Sequence, residues 1–275
     1  MASATRTRRP KMTDEERAAY RAEQRAKLEG ITNGVYSVLH HPDVWRSLLA
    51  LTARLDGSGR KDRGPVNLMA ILGQLPTATD VRGKREWREV GRYPAKGSTA
   101  LRVWGPVKGY SATEGEAPAE GTEPPATAEA PADTTQVYAY VANPTYDISQ
   151  TAGDDYTPQP KPAADPMACA RRLAAALAEP VTFEDTWTGP GTLRVLLDAH
   201  AAARFQGPEL VAGQNAAEAA SAAHLAALLL GIDPRMAPAP NLGALVTGAH
   251  MTPAIKDAAV RVIETGRALA ALARN

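Results

Sequence analysis

The residues between positions 82 and 104 combine positive charge with aromatic rings. Nonspecific binding of single-stranded nucleic acid uses this combination, because cations follow the phosphate backbone while flat rings stack on unpaired bases. An arginine side chain can also stack on a base through its planar guanidinium. The candidate binding residues are Arg82, Lys84, Arg85, Trp87, Arg88, Arg92, Tyr93, Lys96 and Trp104.

The residues of this cluster differ in how strongly they indicate binding. Tryptophan is more often a core residue than a surface residue, so Trp87 and Trp104 each have an ordinary structural interpretation. Arg92 and Lys96 are the better candidates for phosphate contacts. Lys96 stands beside a glycine in a turn, where the chain can approach a phosphate backbone closely.

Charge is distributed unevenly along the chain. Residues 1–110 contain 21 Lys and Arg against 11 Asp and Glu, whereas residues 111–165 contain one basic residue and 10 acidic ones. Residues 166–275 are balanced, with nine of each sign. A basic block beside an acidic one favours a polyanionic partner, with the acidic block competing for the same surface. The alternative is an ordinary solvated surface followed by an acidic linker.

The N-terminal half predicts three helices and then a pair of strands. Helices are expected at about 13–28, after Pro42 and at 65–75, preceded by a disordered basic tail at 1–12. A turn of helix is expected around Trp87.

The strand prediction rests on two apolar runs separated by a long insertion. One strand runs through Leu101 and Val103, and its partner runs through residues 136–141. The segment 109–135 between them is rich in Ala, Glu, Pro and Thr, and is interpreted as an acidic low-complexity insertion.

The fold class follows from these elements. An α+β domain, with helices and a small antiparallel sheet, is predicted at 13–153, and residues 154–165 form a linker. Residues 166–275 carry alanine-rich apolar stripes broken by Pro and Gly, which predicts a mostly α-helical second domain.

One series of motifs is specific enough to suggest a family. In order and spacing it resembles the N-terminal domain of the ArdC-type antirestriction proteins, over about residues 13–153. The resemblance implies single-stranded DNA binding, protection of entering DNA from restriction, and an α+β fold. Gly64 and Pro65 depart from the family, which usually has Tyr-Ser there. The matching residues are Asn67, Leu68, Gln74, Pro76, Ala78, Thr79, Gly83, Trp87, Gly91, Arg92, Lys96, Gly97, Pro106 and the run Tyr146, Asp147, Ile148, Ser149, Gln150, Thr151.

The same resemblance implies a C-terminal domain like that of a zinc metallopeptidase, which carries H-E-x-x-H on a helix. This chain lacks that motif. If His200 is the first ligand, Ala201 replaces the general base and Arg204 replaces the second histidine. The register that starts at Asp198 also offers neither a base nor a second imidazole.

A remnant of the metal site is still conceivable from the sequence. Glu218 matches the ligand that the family takes from the following helix, and His224 is close to it in sequence. His200 and Glu218 are therefore weak vestigial metal candidates, with no catalytic residue assigned. The prediction is a domain that is not an enzyme, has no cofactor and contacts protein partners.

Other functional classes lack their sequence signals. Phosphate-loop, dinucleotide-binding and nucleophile-elbow motifs are absent, and Cys169, the single cysteine, has no base assigned to it and is expected to be buried. Neither a signal peptide nor an apolar membrane span is found, so no membrane partner is expected and the predicted location is the cytoplasm.

The function predicted from the sequence is nonspecific binding of single-stranded DNA, in the antirestriction or DNA protection of a mobile element or phage. One alternative is an active zinc metallopeptidase with a non-standard site. The other is a protein-interaction or virion-associated module without DNA binding.

Overall fold

The computed structural model of the chain describes residues 13–58, 63–110, 135–158, 162–177, 183, 189–209, 213–232 and 251–275. The described helices are α1 (Asp14–Val38), α2 (Pro42–Gly57), α3 (Pro65–Gln74), α4 (Lys84–Glu89), α5 (Pro166–Ala175), α6 (Gly189–Arg204), α7 (Gln214–Leu229) and α8 (Met251–Arg274). The strands are β1 (Val81–Gly83), β2 (Arg92–Pro94), β3 (Leu101–Tyr110), β4 (Thr135–Asp147) and β5 (Thr151–Gly153), with a 3₁₀ turn at Ile148–Gln150. The predicted tail at 1–12 and most of the predicted insertion, 111–134, lie outside the described residues.

The strands form two small sheets. In the first, β4 lies between β1 and β3, and β1 runs antiparallel to β4 with Arg82 opposite Tyr146. In the second, β2 pairs antiparallel with β5, and Tyr93 lies opposite Ala152. The neighbours β3 and β4 are the two strands predicted on either side of the insertion. The predicted fold class, an α+β region followed by a helical region, is confirmed.

The chain divides into two compact units. One takes the chain up to Gly30 together with Val103–Asn143, and the other takes Ile31–Arg102 together with Pro144–Asn275. The second unit therefore contains α2, α3, α4 and all of the C-terminal helices. The predicted domain bounds, with a linker at 154–165, stay a prediction.

Helix α2 is joined to the C-terminal helices by buried polar contacts. The fully buried Trp45 donates a hydrogen bond from its indole Nε1 to Ser221 Oγ on α7, at 3.1 Å. The buried Asp56 accepts hydrogen bonds of 2.7 and 2.9 Å from Arg267 on α8. Because an unpaired carboxylate in this position would be strongly unfavourable, the pair fixes α2 against α8.

Helix α1 extends further than the sequence predicted. The predicted end was at about residue 28, just before Gly30, and glycine is a poor residue for a helix interior. The helix instead continues to Val38, and Val35 and Tyr36 are buried in this added part. Their burial offsets the low helix propensity of the glycine, since packing of an apolar face supplies most helical stability in proteins.

Two helical glycines should respond in opposite directions to alanine. A Cβ on Gly34 in α1 would meet no atom within 4 Å, whereas a Cβ on Gly73 in α3 would lie 2.8 Å from Cγ2 of Ile31 and of Val35. Gly34→Ala should raise the free energy of unfolding by roughly 0.5–1 kcal/mol, because alanine loses less backbone entropy. Gly73→Ala should lower it by about 1 kcal/mol or more, because α1 and α3 must separate. Urea denaturation measures both, and effects of equal sign would contradict this packing.

Candidate nucleic-acid interface

Two glycines allow β2 and β5 to approach closely. Gly91 has a φ of 71° and Gly153 a φ of 135°, and a Cβ on Gly153 would lie 2.3 Å from the carbonyl oxygen of Gly91. Only glycine fits such an approach. Arg92 then closes the pair: Nε and Nη2 donate to Oγ1 and the carbonyl oxygen of Thr151 at 2.9 Å, and Nη1 donates to the carbonyl oxygen of Asp154 at 2.6 Å. Arg92 thus holds β2 against β5.

Arg82 on β1 is held in a buried ion pair. Its Nε and Nη2 donate to the carboxylate oxygens of Asp80, the shortest contact being 2.6 Å, and the two side chains are only 7% and 0% exposed. The hydrogen bond to Asp80 raises the pKa of the Arg82 guanidinium further above its already high value. The Tyr156 hydroxyl contacts both members of the pair. The cation is therefore always charged and is neutralised inside the protein.

Trp87 on α4 packs beside this ion pair. Its ring is fully buried, and Nε1 donates to the carbonyl oxygen of Tyr146 at 2.8 Å. The guanidinium carbon of Arg82 lies 4.8 Å from the Trp87 ring centroid, and the Tyr156 ring meets Trp87 edge-on at 5.8 Å. The structure thus buries Arg82 and Trp87 and holds the half-buried Arg92 by hydrogen bonds to neighbouring protein groups. For Trp87 this is the core position that the sequence had left open.

Five of the predicted residues are exposed: Lys84, Arg85, Arg88, Tyr93 and Lys96. The three cations of α4 point away from the core because Trp87 occupies its buried face. Arg85 forms an ion pair with Glu89 at 3.5 Å, and both side chains are largely exposed, so the pair is weak and readily exchanged for another anion. These five residues are called the α4–β2 face below.

A tight turn presents the lysine of this face. The backbone N–H of Ser98 donates to the carbonyl oxygen of Ala95 at 3.0 Å, which places Lys96 and Gly97 at the two central positions. Gly97 has a φ of 87°, as the third position of a type II turn requires. The N–H of Ala95 donates to the carbonyl oxygen of Gln150 at 2.9 Å, which fixes the base of the turn.

The predicted aromatic residues are exposed to different degrees. Tyr93, at the centre of β2, is 53% exposed, so much of its side chain is accessible to a stacking partner. Trp104 is half-buried on β3 and belongs to the other compact unit.

The residues that support the site were given no role in it from the sequence, although Thr79, Asp147, Ser149 and Gln150 belong to the motifs of the family resemblance. Oδ2 of Asp147 accepts hydrogen bonds from the N–H groups of Thr79 and Asp80, at 2.8 and 3.1 Å. Oδ1 of Asp147 accepts one from the N–H of Ser149 at 3.0 Å, and Gln150 bonds back to the N–H of Asp147 at 2.9 Å. This is a capping box, and its spacing of Asp and Gln three residues apart was a readable signal. Asp80 and Tyr156 carried no such signal.

Glu218, the predicted vestigial ligand, is held by an arginine. It is 1% exposed and accepts hydrogen bonds of 2.8 and 2.6 Å from Arg261 on α8, and one of 2.7 Å from Gln214. The hydrogen bond to Glu218 raises the pKa of Arg261, so its guanidinium stays charged. A guanidinium therefore occupies the charge-compensating position that a metal ion would need.

The residues that align with the other metal ligands of the H-E-x-x-H motif do not fit a metal ion either. His200 donates from Nε2 to the carbonyl oxygen of Leu173 at 2.8 Å. Arg204 and Arg261 line a cavity of about 240 Å³ at the end of α6. Their two positive charges disfavour the binding of a metal cation there. Within the described ranges no three His, Cys, Asp or Glu side chains come together in a way that could hold a metal. We derive no metal-dependent chemistry for this region.

His224 should make the protein less stable in acid. Burial, with Arg194 and Arg46 nearby, lowers its pKa from the ordinary 6.5, and within the described residues Nδ1 has no hydrogen-bond partner. Because the unfolded chain binds this proton more readily, stability is complete above pH 6.5 and falls as the pH drops below it. His224→Leu should flatten this acid limb in urea melts at pH 5 and 7, whereas the exposed His41→Leu should leave it as in wild type. Identical limbs in His224→Leu and wild type would contradict this assignment.

Cys169 is buried as predicted, with an exposure of 1%. Burial raises the pKa of its thiol, which keeps it protonated and unreactive at neutral pH.

Comparison with known proteins gives a similarity in fold. No protein-family model matches the chain, and no curated protein matches it in sequence. Among solved structures, the chain is similar to the metal-free crystal structure of the antirestriction protein ArdC from plasmid R388. The two are 13% identical, the match covers 90% of this chain and 97% of that one, and the TM-score is 0.47. At this level the similarity concerns chain path and assigns no residue of the site.

The lengths and compositions of the described helices bear on whether any of them could cross a membrane. None of them combines the length and the apolar composition that a crossing would need.

Proposed function

We propose that this protein binds single-stranded DNA without sequence preference through the α4–β2 face. The observation that carries the proposal is the separation of roles around α4. Lys84, Arg85 and Arg88 are exposed on it, while the neighbouring Arg82 and Trp87 are fixed inside. The surface cations supply backbone contacts, and Tyr93 supplies a ring for a base.

The rigidity of the scaffold favours binding over a merely solvated surface. The ion pair of Asp80 and Arg82 lies directly before α4, and the three hydrogen bonds of Arg92 hold β2, so both elements are fixed relative to each other. A binding surface whose backbone is already ordered loses less conformational entropy on binding than a mobile segment. The sequence resemblance described above further favours a role in protecting entering DNA from restriction, for a plasmid or another mobile element.

A salt titration of the wild-type chain tests the proposal. Fluorescence anisotropy with a labelled oligo-dT and a matched duplex should show preference for the single strand. The logarithm of the affinity should fall linearly with the logarithm of the salt concentration, by about 0.7 for each neutralised phosphate. No binding at low salt, or a preference for duplex, would overturn it and leave a protein-interaction module as the better explanation.

We also propose that the C-terminal helices are not a zinc peptidase. The pairing of Glu218 with Arg261 and of His200 with the Leu173 carbonyl supports this proposal. Elemental analysis of protein purified without chelator should give far less than one zinc per chain. Stoichiometric zinc, lost together with a hydrolytic activity on Glu218→Gln, would instead favour the peptidase alternative.

A further inference from the structure

The side chain of Tyr156 closes over the buried pair of Arg82 and Trp87. It follows β5 in the segment Asp154–Pro158, which is neither helix nor strand. Its ring centroid lies 4.7 Å from the guanidinium carbon of Arg82, and its hydroxyl donates to Oδ2 of Asp80 at 3.2 Å. The side chain is half-buried, while Asp80, Arg82 and Trp87 beneath it are almost fully buried.

The groups under Tyr156 have the chemistry of a base-stacking site. Asp80 holds the edge of the Arg82 guanidinium through a bidentate pair, which leaves its flat face for an aromatic partner. The Trp87 ring stands beside that face. A guanidinium plane next to an indole is a combination that stacks on an unpaired base. Tyr156 now occupies the place that such a base would take.

The covering segment also has the chemical pattern of a nucleotide. Burial and the neighbouring Asp80 raise the pKa of Tyr156, so its ring is neutral, as a base is. The two residues before it, Asp154 and Asp155, are exposed. Their carboxylates carry negative charge, as the phosphates of a nucleotide do. Both residues follow β5 in the chain and lie near Arg92, which donates a hydrogen bond to the carbonyl oxygen of Asp154.

From these contacts we infer that Asp154–Tyr156 is a built-in competitor of single-stranded DNA, closing a base site formed by Arg82 and Trp87. The inference rests on the proposed function and adds its regulation. An open segment lets one base stack where Tyr156 lay, while the strand backbone follows the cations of α4. A closed segment limits binding to the exposed α4–β2 face.

The apparent affinity of such a site is reduced by the fraction of molecules in which it is open. Tyr156→Ala in the full chain should therefore bind labelled oligo-dT about tenfold more tightly than wild type, if the segment is open roughly one tenth of the time. Tyr156→Phe keeps the ring and should bind within about twofold of wild type. An abasic oligonucleotide of the same length should show no gain with Tyr156→Ala, because it offers nothing to stack.

A second variant avoids any loss of packing. Asp155→Asn removes one exposed charge from the segment and should bind oligo-dT roughly two- to threefold more tightly at low salt, with the gain disappearing at high salt as screening requires. Thermal melts of all three variants verify folding.

The outcomes separate this inference from the proposed function. If wild type binds and neither Tyr156→Ala nor Asp155→Asn binds more tightly, the competitor is overturned while DNA binding stands. If Tyr156→Ala tightens binding equally for oligo-dT and for the abasic strand, the base site is overturned. If neither the wild-type protein nor any variant binds oligo-dT, the proposed function and the competitor both fail.

Discussion

Arg82→Met should lower the free energy of unfolding by about 3 kcal/mol, because it leaves the carboxylate of Asp80 buried without its cation. Asp80 has no exposed side-chain surface, and the Tyr156 hydroxyl is the hydrogen-bond partner that would remain to its carboxylate among the described residues. Equilibrium unfolding in urea, followed by circular dichroism, measures the loss. The midpoint should fall without a large change in the slope of the transition.

A double-mutant cycle distinguishes a broken pair from a simple loss of packing. Asp80→Asn together with Arg82→Met removes both charges, so the double variant should be more stable than the sum of the single effects predicts. The matched control is Arg85→Met, three residues along the chain, where the side chain is 93% exposed and the change should stay within about 0.5 kcal/mol. Equal losses in Arg82→Met and Arg85→Met would show that the buried pair does not stabilise the fold.

Replacing Lys84, Arg88 and Lys96 together with alanine should weaken oligo-dT binding at low salt by about 100-fold, at roughly 1 kcal/mol for each phosphate contact. The three side chains are exposed, so the fold should be retained. The salt dependence should become flatter by about 2 in the log–log slope, since each contact contributes about 0.7. Anisotropy titrations at four salt concentrations provide both quantities.

The control must change the net charge equally without touching the α4–β2 face. Arg171, Arg204 and Lys256 are exposed on the C-terminal helices. Replacing all three with alanine removes the same number of positive charges as the test variant does. It should keep the wild-type slope and lose at most a few-fold in affinity through long-range attraction. If both triple variants lose affinity equally, binding follows total charge and the α4–β2 face has no special role.

The two predictions test neighbouring residues with opposite roles. Arg82 is two residues before Lys84, yet its removal should chiefly lower the free energy of unfolding, whereas the removal of Lys84 should lower the affinity and leave the fold intact. The difference arises because the chain turns from β1 into α4 at Gly83, with Arg82 buried before the turn and Lys84 exposed after it. A sequence in which both residues are basic does not show this change of side.

The C-terminal helices show the same limit of sequence reasoning. The loss of H-E-x-x-H was readable, because the required residue types are absent at the required spacing. What replaced the metal was not readable, since Arg261 lies 43 residues from Glu218 and meets it only through the packing of α7 against α8. The pairing of Asp56 with Arg267, 211 residues apart, was hidden for the same reason.

The sequence by itself determined most of the helices and the two long strands, since apolar spacing, proline positions and alternating runs are local signals. It did not predict the short strands β1, β2 and β5 or the full length of α1. It also determined which residue types are available for chemistry and that the peptidase motif is missing. Only the tertiary structure decided which cations face water, that α2 and the C-terminal helices share a core, and that Tyr156 covers Arg82. Burial and long-range pairing depend on which surfaces meet, and residue types along a single chain do not specify those meetings one by one.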